Sequence, residues 1–122
     1  MLITSNIKTY PYGKETLVFN YDDYIKLGWE FFDNSTIMCL RLLQKVGAER
    51  VALAGFDGFD EGGGENYADS MLQTRQVAAD VEQKLNREIE EMLADFLRNS
   101  STSVSFLTPS RYETAFIAQR RL

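Results

Sequence analysis

The stretch "VALAGFDGF", residues 51–59, decides the fold that the sequence predicts, because it joins an apolar run to an aspartate held between two glycines. Five small or apolar residues in succession, 51–55, are typical of a buried strand in a parallel sheet. Asp57 follows that strand directly. The stretch therefore predicts a polar side chain at the carboxyl edge of a sheet, where open α/β proteins bind their ligands.

A helix precedes this strand in the sequence. Asn34 or Ser35 is a good N-cap and Gly47 a good C-terminal stop, so we expect a helix over 34–46. Its apolar residues cover most of its surface, which indicates a largely buried helix with Cys39 as an inert core thiol. A helix, a short turn and an apolar strand in succession are typical of a parallel sheet.

Three further strands are predicted near residues 2–6, 16–20 and 102–107. A long amphipathic helix of roughly 25 residues is predicted within 70–100, because apolar residues recur there at steps of three and four. Its apolar face comprises Val77, Ala78, Val81, Leu85, Ile89, Met92, Leu93 and Phe96, and Glu82 falls on the polar face.

These elements together predict one α/β domain over residues 1–122. We expect a three-layer α/β/α sandwich with a mostly parallel sheet, Rossmann-like in its arrangement. The chain also lacks the Gly-rich strand-to-loop unit with which a complete domain of this kind usually starts. We therefore expect it to be a C-terminal part of a larger protein.

The composition of the 122 residues excludes several classes of function. The net charge is −5 and the basic residues do not cluster, which argues against nucleic-acid binding. There is no histidine, so histidine-based metal sites and catalytic triads are excluded. The single cysteine excludes an internal disulfide and favours the reducing cytoplasm. No apolar run approaches the roughly 20 residues that span a bilayer, so no membrane partner is expected.

Polar residues follow the predicted strands and begin the first helix, and they form the candidate site. A glycine after the third strand would allow a positive φ angle or a close backbone approach. Two alternatives stay open: an aspartate after a strand often accepts backbone N–H groups, and a helix N-terminus is often simply capped. The candidate ligand-binding residues are Asn20, Asn34, Ser35, Thr36, Asp57 and Gly58.

The expected ligand is a small molecule such as a nucleotide or other anion, because free amides at residues 35–37 would carry the positive end of the helix dipole. Asp33 and Asp57 oppose that expectation by their charge. The acidic loop over 57–69 could hold a hard cation or be a solvated loop. No serine or cysteine has a visible general base, so we predict no catalytic residue, no metal ligand and no cofactor in this chain.

Five segments of the chain resemble one family, the C-terminal region of bacterial 4-hydroxy-2-oxovalerate aldolase-like proteins. They are "LITSN", "VFNY", "DNSTIMCLRLLQKVGAERVALAGFDGF", "ENYAD" and "SFLTPSRY", within residues 2–112. Proteins of that family fuse an aldolase barrel to an α/β domain and tend to occur among genes for surface polysaccharide synthesis. The strongest pair of motifs is "AGFDG" (54–58) with "NS" (34–35).

The resemblance implies an accessory ligand-binding or regulatory domain of an aldolase-type lyase, with the parent chain's aldolase domain as its partner. An aldolase barrel needs about 250 residues, so no chemistry of that kind is expected in this chain. A more distant likeness to the Rossmann-like domains of bacterial sialyltransferases implies the alternative, a nucleotide-sugar-handling domain of the glycosyltransferase kind. A homo-oligomerisation module is the third possibility.

Overall fold

The computed structural model describes residues 2–5, 15–61 and 79–114. The described chain contains four short strands and two α-helices: two strands come first, and each helix is then followed by a strand. This order confirms the one expected from the sequence. The part of the long predicted helix before Ala79 lies outside the described residues. In chain order the elements are β1 (Leu2–Thr4), β2 (Leu17–Phe19), a 3-10 turn (Tyr21–Asp23), α1 (Ser35–Lys45), β3 (Arg50–Leu53), α2 (Ala79–Asn99) and β4 (Ser103–Phe106).

The strands form two parallel pairs, so the chain is a mixed α/β structure. β1 pairs with β2, and β3 pairs with β4 in the register Val51 to Val104. Parallel strands need a long crossover connection, and between β3 and β4 that connection contains α2. The expectation that these strands are parallel is confirmed for both pairs.

One face of the β3–β4 pair is covered and the other is exposed. Val51 and Leu53 of β3 are half-buried and Val104 of β4 is fully buried, whereas Arg50 and Ser103 are exposed. The apolar run at 51–55 therefore alternates like a half-buried strand, and the expectation of burial on both faces is wrong. The reason is that α1 and α2 pack against the same face of the pair.

The main core lies between the helices and β4. α2 contributes residues spaced by three and four, as its amphipathic pattern predicts, and α1 contributes a shorter stripe. The buried members of this cluster are Ile37, Leu40, Ile89, Met92, Leu93, Phe96, Val104 and Tyr112. A smaller cluster of Tyr24, Met38 and Leu42 packs against Phe19, which joins α1 to the end of β2. No helix in the described ranges is long and apolar enough to cross a membrane.

Two residues lie on the opposite side of their helices from the side expected. Cys39 is exposed, because it does not lie on the side of α1 that packs into the two clusters through Ile37, Leu40 and Leu42. Glu82 is only 2% exposed, because it lies one turn before Asn86 on the buried face of α2. The predictions of a buried Cys39 and an exposed Glu82 were based on residue type, whereas the position of a residue around the helix determines whether it is buried.

The irregular segment that precedes α1 is held by carboxylates. Glu88 of α2 accepts the backbone N–H of Phe31 at 2.8 Å. Asp33, whose side chain is fully buried, forms a two-pronged ion pair with Arg41 and accepts the N–H of Lys26 at 2.6 Å. These bonds satisfy backbone groups that no strand or helix would pair, and they fix the position at which α1 begins.

We expect Leu93→Ala to lower the free energy of unfolding by about 2–5 kcal/mol, because it removes a fully buried side chain from the main core. Leu27→Ala is the matched control, since Leu27 is 75% exposed, and a surface change of this kind costs less than about 0.5 kcal/mol. Urea unfolding of both variants measures the difference. Equal losses would contradict the assignment of the core.

Candidate functional site

A cavity of about 340 Å³ lies at the carboxyl end of β3. Its walls come from the start of α1, the loop that follows β3, the middle of α2 and the segment after β4. Its size is within the range of small-molecule sites, which begins at roughly 300 Å³. The lining residues are Asn34, Thr36, Gly55, Phe56, Asp57, Gly58, Phe59, Ile89 and Tyr112.

Four of the six candidate residues meet in this cavity: Asn34, Thr36, Asp57 and Gly58. The other two do not line it. Asn20 lies at the end of β2, where its side-chain oxygen faces the Ser5 hydroxyl at 3.4 Å, and Ser35 is exposed on the first turn of α1. That these residues bind a ligand stays a prediction.

The N-terminus of α1 is capped by Asn34. Its Oδ1 accepts the N–H of Thr36 at 2.9 Å and the N–H of Ile37 at 3.3 Å. Its backbone is extended, as expected of an N-cap residue. The capping alternative is therefore confirmed for Asn34. The assumption that the amides of residues 36 and 37 are free is wrong, because the side chain of Asn34 already uses both.

Asp57 presents its carboxylate beside the cavity and is exposed. The hydroxyl of Thr108 donates to its Oδ1 at 3.4 Å, and the same hydroxyl accepts the N–H of Gly55 at 2.9 Å. In the described part of the chain, neither an ion pair nor a backbone N–H engages this carboxylate. The alternative in which Asp57 caps its own loop is thus not what the structure shows.

Asn86 of α2 is the residue at this site that the sequence analysis missed. It is 4% exposed, and all four hydrogen-bonding positions of its amide are used. Oδ1 accepts the N–H of Phe59 and the hydroxyl of Tyr112, each at 2.8 Å. Nδ2 donates to the carbonyl of Phe59 at 2.9 Å and to Glu61 at 3.0 Å. The only signal in the sequence was a polar residue at a core position of the long helix.

Tyr112 forms the wall of the cavity next to Asn86. It is 1% exposed, and its ring lies 4.8 Å from that of Phe56 between centroids. Burial raises the pKa of Tyr112 to about 12; Arg111 opposes this shift, and the carboxylates of Glu90 and Glu61 add to it. The hydroxyl is therefore neutral at physiological pH, and its proton is committed to Asn86.

Gly58 lies where no other residue fits well. Its φ is +96°, a conformation that residues with a Cβ rarely adopt. A Cβ at this position would lie 2.2 Å from Cδ of Arg111. The Arg111 guanidinium donates to the carbonyl of Phe59 at 2.6 Å and pairs with Glu61 at 2.7 Å, so its position is already fixed.

In the described ranges 2–5, 15–61 and 79–114, no three acidic or cysteine side chains are grouped as metal ligands. Most of the acidic loop at 57–69 lies outside these ranges. The cavity itself offers a carboxylate, an amide, two hydroxyls and three aromatic rings. Such a lining supplies hydrogen bonds and apolar contact to a small ligand.

Gly58→Ala is expected to cost about 2–3 kcal/mol of stability, because the positive φ angle and the contact with Arg111 add to each other. Gly55→Ala is the control: Gly55 has a φ of +70° but open space around its Cα, so only the conformational cost of about 1 kcal/mol applies. Thermal and urea unfolding give both values. A Gly58 variant as stable as the Gly55 variant would contradict the close approach.

Tyr112 makes stability fall at alkaline pH. Its pKa of about 12 in the folded chain exceeds the ordinary value of 10.0, so the folded chain binds this proton more tightly than the unfolded chain does. The resulting stability is fully present below pH 10 and is lost as the pH rises towards 12. We expect the advantage of the wild type over Tyr112→Phe to shrink by roughly 1–2 kcal/mol across that window. A constant difference in unfolding free energy would contradict the shift.

Comparison with known proteins identifies no relative of this chain. A scan of the sequence against protein-family models finds no match, and searches of curated proteins and of solved structures find none either. The resemblance to aldolase-like proteins stays a prediction.

Proposed function

We propose that this chain is a small-molecule-binding α/β unit whose ligand occupies the cavity at the end of β3. In this proposal it is an accessory or regulatory domain of an aldolase-type enzyme and has no chemistry of its own. The observation that carries the proposal is the convergence of α1, the β3 loop, α2 and the segment after β4 on one cavity. The carboxyl edge of parallel strands is where α/β folds bind ligands.

The rigidity of the cavity walls supports a binding role. Asn86 holds both backbone groups of Phe59, and Ser110 donates to the carbonyl of Phe56 at 2.5 Å. The loop after β3 is therefore anchored on α2 and on the segment after β4. A site whose walls are fixed before binding loses less conformational entropy when the ligand arrives.

The titratable side chains of the lining favour binding over chemistry. They are Asp57 and Tyr112. With a pKa of about 12 and its proton bonded to Asn86, Tyr112 is a poor base or nucleophile at neutral pH. Among the described residues, the only side chain bonded to Asp57 is the Thr108 hydroxyl, which does not form the base–nucleophile pair that activation of a substrate requires.

The remaining parts of the proposal rest on the sequence resemblance and on the strand pairs. The parallel pairs and the crossover through α2 support a Rossmann-like, three-layer arrangement. The exposed face of β3–β4 carries the small residues Ala52, Ser103 and Ser105, which would let a further layer approach closely. A cytoplasmic location is supported by the single cysteine. An aldolase domain as partner and a role in surface polysaccharide synthesis follow from the resemblance alone.

The second candidate function is nucleotide-sugar handling of the glycosyltransferase kind. It is favoured by the meeting of Asn34 and Asp57 with aromatic side chains in one cavity. Amide and carboxylate groups bind sugar hydroxyls, and aromatic rings pack against sugars or bases.

Amide chemical shifts of labelled protein test the binding site directly. We expect members of a panel of 2-oxo acids, hexoses, amines and uridine or cytidine nucleotides to shift residues 55–58. Tight and selective binding of a nucleotide would support the second candidate. If nothing in the panel or in a fragment library shifts these residues at millimolar concentration, the proposed site is wrong.

A matched pair of helix variants shows whether the ligand lies in the cavity. Thr36→Val removes a hydroxyl from the lining without changing side-chain shape, and Ser35→Ala removes one from the adjacent exposed position. We expect several-fold weaker binding by calorimetry for the Thr36 variant and unchanged binding for the Ser35 variant. The reverse order would place the ligand outside the cavity.

A further inference from the structure

The described lining of the cavity carries one formal charge, and it is negative. Asp57 is the only charged residue among the lining residues that the structure describes. Its carboxylate is exposed, and the one bond it receives from a described side chain is the 3.4 Å contact from the neutral Thr108 hydroxyl. A carboxylate without a counter-charge attracts a cation and repels an anion.

Two of the three helix amides expected to attract an anion, and one neighbouring guanidinium, already have partners within the chain. The N–H groups of Thr36 and Ile37, at the positive end of α1, donate to Asn34. The nearest guanidinium, that of Arg111, donates to the carbonyl of Phe59 and pairs with Glu61. An anionic ligand would have to break one of these arrangements before it gained a partner.

The charges behind the cavity wall are of both signs, and the carboxylates outnumber the cation. Of these charges, Arg111 acts most strongly on the buried hydroxyl of Tyr112 and lowers its pKa, whereas Glu90 and Glu61 raise it. Arg111 is paired with Glu61, and Glu90 bonds only the neutral Thr114 hydroxyl among the described residues, at 3.1 Å. With the Arg111–Glu61 pair neutral, Glu90 adds a second negative charge to that of Asp57.

Aromatic residues complete the environment that an organic cation requires. Phe56, Phe59 and Tyr112 line the same cavity as Asp57. Aromatic rings attract ammonium groups through their negative faces, and this attraction contributes most where water is displaced. A volume of about 340 Å³ has room for a small alkylammonium ion with a polar substituent.

We infer that the ligand presents an organic ammonium group to Asp57, so that the cavity selects amines over neutral or anionic molecules of the same shape. This inference rests on the proposed binding function and adds to it the charge of the ligand. Asn34 and Thr36, on the wall formed by the start of α1, would then bond a hydroxyl or amide on the same molecule.

Pairs of isosteric compounds test the inference by calorimetry and amide shifts. Choline is compared with 3,3-dimethylbutan-1-ol, which has the same shape without the charge, and ethanolamine is compared with propan-1-ol. We expect each amine to bind about tenfold more tightly than its neutral partner, with shifts at residues 55–58. Uridine monophosphate and inorganic phosphate are the anionic comparisons, and weaker binding is expected for both.

Two charge-neutralising variants locate the effect. Asp57→Asn keeps the shape of the side chain and an acceptor for Thr108, so folding should be preserved while the preference for amines disappears. Glu91→Gln removes the same charge from an exposed position of α2 and should retain the preference. Unfolding midpoints of both variants verify that each is folded.

The outcomes separate the inference from the function on which it rests. Equal binding of amines and neutral isosteres, or tighter binding of the phosphate compounds, with shifts at 55–58 would overturn the preference for cations but keep the site. A preference for amines that survives Asp57→Asn would also overturn it. An absence of shifts at 55–58 with every compound would overturn both.

Discussion

The amide of Asn86 is the interaction on which the site depends. A buried side chain with two donors and two acceptors is costly unless every one of them is bonded, and here all four are. Two separate parts of the chain supply the partners: the loop after β3, through Phe59 and Glu61, and Tyr112 beyond β4. One side chain of α2 thereby fixes two walls of the cavity at once.

Buried polar groups play a similar part in the segment before α1. That segment has no strand to pair its backbone, so carboxylates of Asp33 and Glu88 accept its N–H groups. The ion pair of Asp33 with Arg41 supplies the charge compensation that a fully buried carboxylate needs. The start of α1, and with it Asn34, is consequently placed by side chains rather than by sheet hydrogen bonds.

Local pattern was enough to predict the elements and part of the site. Apolar periodicity gave the helices and strands, and the rule for parallel strands brought Asn34 and Asp57 to the same edge. Local pattern could not predict that Asn86 and Glu82 are buried, because a polar residue in an amphipathic helix is assigned to the solvent-facing side unless its partners elsewhere in the chain are known. It also could not decide whether the amides of α1 were free, because that depends on the rotamer of Asn34.

The capping of α1 links stability to ligand choice. A helix N-terminus at the edge of a parallel sheet is the usual anion site of α/β folds, and its free amides are what make it one. When Asn34 uses those amides, the helix gains a cap that is typically worth about 1 kcal/mol, and the anion loses its donors. Asp57 then remains as the only charged residue among the described residues that line the cavity. The side chain of Asn34 therefore stabilises the helix and, in the cavity inferred above, also shifts the preference of this edge of the sheet from an anionic to a cationic ligand.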